Sequence, residues 1–250
     1  MSKHVYNLKR STKVVEATKL TWSEVATAVT EADLRGQFTP VVSQLTLGSC
    51  TSNAIVSGLR EFLEVKSGKY TPSTAVLLSR LFLYYEERLR EGTVNVDAGA
   101  NIVDGMQVLL QMGVPPEQDE PYIVANFTEA PSQQDLQAAL AWRVSSIHPL
   151  ADITEVKRCL ADGFPAVMGF EVFESFESPQ VAQTGIMTLP QPGEASLGGH
   201  AVTLAGFSDA HQWFIVRNSW GKDWGDAGYF YMPYEYFLQY AWDFWTARVA

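Results

Sequence analysis

The feature that most constrains the fold is a change of texture near the middle of the chain. Before roughly residue 120 the apolar residues recur at helical spacing, and after it they gather in short strand-like runs. In AIVSGLREFLEV, Ile55, Leu59, Phe62 and Leu63 fall on one stripe, with Gly68 past its end. A second helix is predicted behind Thr71-Pro72-Ser73, with Ser73 as N-cap. It runs through Leu89, apolar nearly all round, and stops at Gly92. A third fits Ile102 to Met112, ended by Gly113 and Pro115-Pro116. Thr21-Trp22-Ser23-Glu24 has capping-box spacing and predicts a short helix to about Val29. EQDEPYIVANFTEAPSQQ reads as a connection, followed by a helix at Ile153–Ala161. Strands are then expected in PAVMGFEVF, HAVTLAGFS, WFIVRNSW and GYFYMPY, the first two separated by a Gly/Pro-rich loop at 178–198. Helices first and sheet second imply an α+β chain with two packed lobes of different class.

Charge and cysteine usage narrow the partners. A formal net charge of -10 disfavours nucleic acid and anionic membranes, and no uninterrupted apolar run is long enough to cross a bilayer. The first twenty residues lack the apolar core of a secretory signal, and two cysteines make no disulfide framework, so a reducing, cytoplasmic setting is expected. Charge is also uneven. Lys3, Lys9, Arg10, Lys13 and Lys19 face only Glu16 within residues 1–20, and the remainder is strongly acidic. Such a basic arm either dangles in solvent or lies back on the body.

One cysteine, Cys50 in QLTLGSCTSNA, stands where a helix begins. A helix N-terminus lowers a thiol pKa, which would make Cys50 nucleophilic; a buried, space-filling cysteine is the competing reading. Cys159 follows Val156 by three residues on an amphipathic helix and reads as core. A nucleophilic cysteine needs a base, and the base an orienting group. His200, between glycines and a strand in GGHAVTLAG, is favoured mildly over His211 in the polar turn SDAHQ. His4 lies in the basic arm, and His148 precedes Pro149 in a connection. Asn218 in VRNSWGKDWGDAGY can hold an imidazole in one tautomer while a tryptophan keeps water away, or can form an ordinary Asx turn. No His/Cys/Asp cluster has metal-ligand spacing, so neither metal nor cofactor is expected.

Together these segments resemble the papain-like cysteine peptidases, in the disulfide-free branch of bacteria and archaea. Gln44…Gly48-Ser49-Cys50, Gly198-Gly199-His200-Ala201-Val202 and Arg217-Asn218-Ser219-Trp220-Gly221 carry the likeness. Gly99-Ala100-Asn101, Gly113-Val114 and Pro121-Tyr122 resemble the stretch that pairs with substrate backbone. Leu47 and Thr51 stand where relatives usually carry a cysteine and an aromatic, and Ala100 replaces a usual glycine. The resemblance implies a two-lobed fold, with a helical left lobe, an antiparallel β-barrel-like right lobe and the site in the cleft between them. The corresponding divisions are a basic extension at 1–30, a mainly helical lobe at 31–145 and a mainly β lobe at 146–250.

The resemblance further implies a cysteine endopeptidase acting on peptide or protein substrates. Cys50 would be the nucleophile, His200 the general base, Asn218 its orienting group, and Gln44 an oxyanion donor. Gly48, Gly99, Ala100, Gly199 and Trp220 would line the substrate. Two other readings compete: a catalytically silent papain-fold module binding a peptide or partner, and a transferase using the same thiol and imidazole. The family's inhibitory prodomain has no counterpart of its usual length, and residues 1–30 are expected to replace it by lying over the acidic body.

Overall fold

The structure is a computed structural model that describes residues 4–13, 20 and 29–249. The capping-box segment at Thr21 lies outside the described residues. Helix α1 begins at Cys50 and runs through Cys50–Ser52, a π-wound stretch Asn53–Arg60, and Glu61–Lys66. Its predicted stripe, Ile55, Leu59, Phe62 and Leu63, is buried. Helix α2 spans Arg80–Glu91 and α3 spans Ile102–Gln111, capped by Ser79 and Asn101 side chains.

The start of α2 differs from expectation. Thr71–Thr74 forms a turn in which hydroxyls bond one another and nearby backbone. Leu77 and Ser79 then pair with the chain at Pro115 and Glu117, which keeps them extended. The stretch read as a connection runs at its end into a helix, α4, at Gln133–Ala139, opened by a Ser132/Asp135 capping box.

The sheet is built from β1 (Glu31–Asp33), β2 (Ser146–Leu150), β3 (Ala166–Phe173), β4 (Ser196–Ser208), β5 (Trp213–Arg217), β6 (Tyr229–Pro233) and β7 (Ala241–Arg248). Helices α5 (Ile153–Ala161), α6 (Pro179–Thr184) and α7 (Tyr234–Tyr240) lie between them in sequence. All pairings are antiparallel, in the order β2-β7-β3-β4-β5-β6, with β1 on β4. The edge strands β2 and β6 do not pair with each other, so the sheet is open. The sequence reading missed β2, where His148 faces Thr246, and missed β7 altogether. Both carry polar residues within short apolar runs, which blurs the two-residue period.

Two apolar clusters hold the layers. One gathers Phe170, Phe176, Phe207, Phe214 and Phe230 around the sheet. The other joins α1, through Ile55 and Leu59, to Val167, Ala201 and Trp245 of the strands. Gly58 sets that approach: a Cβ there would lie 1.9 Å from Thr203 Oγ1, and the same hydroxyl donates to Ala54 O at 2.9 Å. Arg217 fastens the lobes further, donating to the carbonyls of Thr39 and Pro40 and to Ser57 Oγ. Among the described residues, no helix is long and apolar enough to cross a membrane.

Candidate active site

Cys50 occupies the first turn of α1, where backbone N–H groups lack intrahelical partners. The loop before it is clamped from two sides. Gln44 receives Ser219 Oγ–H on its Oε1 at 2.7 Å and donates from Nε2 to Leu47 O at 2.9 Å. Tyr122 bonds Gln44 O at 2.9 Å and the Ser49 hydroxyl, with the Arg80 guanidinium over its ring. Tyr122 is thus placed behind the nucleophile loop, where it braces that loop from the rear. Tyr122 and Ser219 were legible only as parts of larger blocks, since their partners are far away in sequence.

The imidazole comes from β4. His200 is fully buried, and its Nε2 lies 2.9 Å from Asn218 Oδ1. The same oxygen accepts the Ser219 N–H at 2.9 Å, which identifies it as the carbonyl end of the amide. Nε2 therefore carries the proton, and among the described residues Nδ1 has no hydrogen-bond partner. Trp220 stacks on the ring, with centroids 5.1 Å apart and planes 25° apart. The next residue, Ala201, directs its N–H at the Cys50 sulfur, so β4 brings the base and nucleophile segments together. Cys159 is buried in the core, with its Sγ 3.4 Å from Phe164 O.

Residues 4–13 cross this site. His4 stacks on Trp220 with centroids 3.7 Å apart, and Tyr6 meets His200 edge-on at 5.9 Å. Leu8 N–H donates to Gly199 O, and Lys9 N–H to Ala100 O, both at 3.1 Å. Glycines make room for the crossing backbone. A Cβ at Gly99 or Gly198 would lie 2.1 or 2.3 Å from the carbonyl oxygen of Asn7 or Tyr6. Gly48 likewise packs against the Asn7 side chain. Lys9 and Lys13 anchor the segment on Glu91 and Asp104, and Arg10 lies over Trp242. The described part of the basic arm, residues 4–13, therefore lies back on the body, and does so across the cleft.

Of the two readings of Cys50, burial dominates over the helix end. A helix N-terminus lowers a thiol pKa, yet burial pushes this one up to about 12, against the opposing Ala201 N–H. Burial also lowers His200 to about 4, against the favourable Asn218 bond. With the arm in place, both groups are neutral near pH 7. Among the described residues, no three His, Cys, Asp or Glu side chains form a metal-holding group.

An α+β fold with a buried cysteine at a helix start, facing an Asn-bonded histidine strand, defines the two-lobed thiol hydrolase class. Comparison with known proteins places the chain within it. Residues 28–239 match the model of the papain family cysteine proteases. An uncharacterised peptidase C1-like protein of Acanthamoeba polyphaga mimivirus is 40% identical over 83% of this chain and 69% of its own length. Xylellain, a cysteine protease from Xylella fastidiosa, superimposes with a TM-score of 0.88 at 33% identity, covering 100% of this chain and 98% of its own. Procathepsin B S9 of Trypanosoma congolense shares the fold, with a TM-score of 0.76 at 17% identity over 98% of this chain and 86% of its own. The chain belongs to the papain family of cysteine proteases.

Proposed function

We propose that the chain is a cysteine endopeptidase held shut by residues 4–13 and working through Cys50, His200, Asn218 and Gln44. The observation that carries this reading is the Nε2–Oδ1 bond of 2.9 Å, which leaves Nδ1 free to accept a thiol proton. With the arm displaced, His200 Nδ1 takes the Cys50 proton and the sulfur attacks a peptide carbonyl. The Cys50 N–H and the second Gln44 Nε2 hydrogen hold the oxyanion. Collapse breaks the C–N bond as His200 gives its proton to the departing amine, leaving a thioester. Water, deprotonated by His200, then attacks the thioester and returns the thiol and a carboxylic acid.

The arm's direction is one that would resist cleavage. The amine half of a substrate must lie beside the imidazole that protonates it. The arm places its earlier residues there, His4 on Trp220 and Tyr6 on His200, and Lys9 on Ala100. A cleavable chain runs the opposite way, with its N-terminal part along Ala100. Gly48, Gly99, Ala100 and Gly199, now in contact with the arm, would line that substrate. Both cysteines are free, which suits a reducing, cytoplasmic location.

Complete burial of Cys50 favours a second reading, a silent module that binds a partner on the covered face. A covalent epoxide probe and a fluorogenic dipeptide, used on a chain whose arm has been loosened, separate the two. Labelling of Cys50 with turnover supports the peptidase, and neither supports the silent module. Products formed with added amines would identify a transferase.

A further inference from the structure

The geometry points to Glu91 as a specificity-determining residue that takes a Lys or Arg side chain of the substrate. The inference deepens the peptidase reading and rests on it for the word substrate. Glu91 closes α2, and its side chain is only 9% exposed. One oxygen, Oε1, is committed: it accepts the backbone N–H of Asn101 at 2.9 Å and the Asn101 Nδ2 at 2.8 Å. These bonds tie the carboxylate to the residue next to Ala100, whose carbonyl binds the crossing backbone. The other oxygen, Oε2, holds the Lys9 ammonium at 2.5 Å, with the Gly99 carbonyl 3.4 Å from the same nitrogen. A carboxylate pinned in this way and backed by a carbonyl is prepared for a cation before any peptide arrives.

The neighbouring pocket is filled by Leu8. Its Cδ2 occupies the space that a Gly169 Cβ would claim, and Trp242 borders both Gly169 and Gly199. Leu8 is 8% exposed and joins the cluster containing Val167, Ala201 and Trp245. The arm therefore presents an apolar side chain and, one residue later, a basic one to two adjoining sites of opposite character. When the arm leaves, Oε2 loses its partner and the Trp242 pocket empties. A substrate running opposite to the arm would offer Lys or Arg immediately before the apolar residue. Peptides of the form Lys-Leu or Arg-Leu fit, and those of the form Glu-Leu place like charges together.

The test uses the full chain carrying Leu8→Asp and Lys9→Ser, which empties both sites, together with Cys50→Ala to prevent turnover. Fluorescein-labelled peptides identical except for Lys-Leu, Gln-Leu or Glu-Leu are titrated at low salt. The Lys-Leu peptide should bind about tenfold more tightly than the Gln-Leu peptide, the size of one hydrogen-bonded charge contact. Glu91→Gln keeps an acceptor for Asn101 and should bring the two within about twofold. Glu91→Lys should shift the preference to the Glu-Leu peptide. Equal binding of Lys-Leu and Gln-Leu, a preference that survives Glu91→Gln, or no binding by any peptide overturns the assignment. Restoring Cys50 then reads kcat/KM: selective binding without cleavage would sink the peptidase reading and leave the Glu91 assignment standing.

Discussion

Truncating Leu8 is the sharpest way to ask whether the arm governs the thiol. Leu8→Ala removes three carbons from a side chain that is 8% exposed in the cleft. At about 0.8 kcal/mol per buried carbon the closed form should lose ~2.4 kcal/mol, or about 50-fold in the closed-to-open ratio. The ion pairs matter less. The Lys9 and Lys13 side chains are 38% and 52% exposed, and such pairs contribute at most about 1 kcal/mol each and weaken with salt. The assay is alkylation with iodoacetamide at pH 8, followed by mass mapping of both cysteines. With opening and closing fast relative to labelling, the Cys50 rate follows the open population and should rise about 50-fold. Cys159, buried in the core, supplies an internal reference for global unfolding. The reasoning is refuted by a Cys50 rate that rises less than threefold, or by Cys50 and Cys159 rising in parallel.

Three further outcomes follow from the same geometry, the two on turnover measured in a Leu8→Ala background. Asn218→Ala leaves the His200 Nε2–H without its acceptor and should lower kcat/KM by about 10²-fold, at the low end of general acid–base contributions. Gln44→Ala removes an oxyanion donor and should lower kcat by ~10²–10³ with little change in KM, read from full progress curves on a fluorogenic peptide. The arm should also loosen in acid. His200 is held near 4 when covered and returns toward its ordinary 6.5 when uncovered, so the open form binds the extra proton. The His200 contribution to closure is then fully present above about 6.5 and weakens as pH falls through the window down to about 4, by at most tenfold per pH unit. His4 and Glu177 face the ring from the arm and from the turn after β3, and Asn218 bonds it from beyond β5. Hydrogen-exchange protection of the Leu8 and Lys9 amides, corrected for intrinsic rate, should fall across that window; constant protection would count against the linkage.

Much of this architecture was readable wherever a local signal and the tertiary outcome agreed. The α1 stripe at Ile55, Leu59, Phe62 and Leu63 is buried as its spacing requires, and the helix expected at Ile153–Ala161 forms as α5. The failures have a common cause. Ser73 offered a cap, but the pairing of Leu77 and Ser79 with residues 115–117 outweighed it. Strand β7 exists because its backbone pairs with β2 and β3, which lie far away in sequence. In the site, single residues such as His200 and Asn218 stood in recognisable local contexts. Their braces, Ser219 on Gln44 and Tyr122 on Ser49, depend on separations no local pattern encodes.

The ionisation state of Cys50 was the least legible property, because two effects of different size act on one sulfur. A helix end favours a nearby anion by about 0.3–1 kcal/mol, and this is visible in sequence as a cysteine at the first helical position. Burial acts the other way and more strongly, pushing the thiol up to about 12. The larger effect is burial among residues distant in sequence, which only the folded chain brings together. Burial likewise lowers His200, and His4 of the crossing segment adds to that. If the segment opens as proposed, water returning to the cleft would relieve both penalties, so that access to Cys50 and its reactivity would change together.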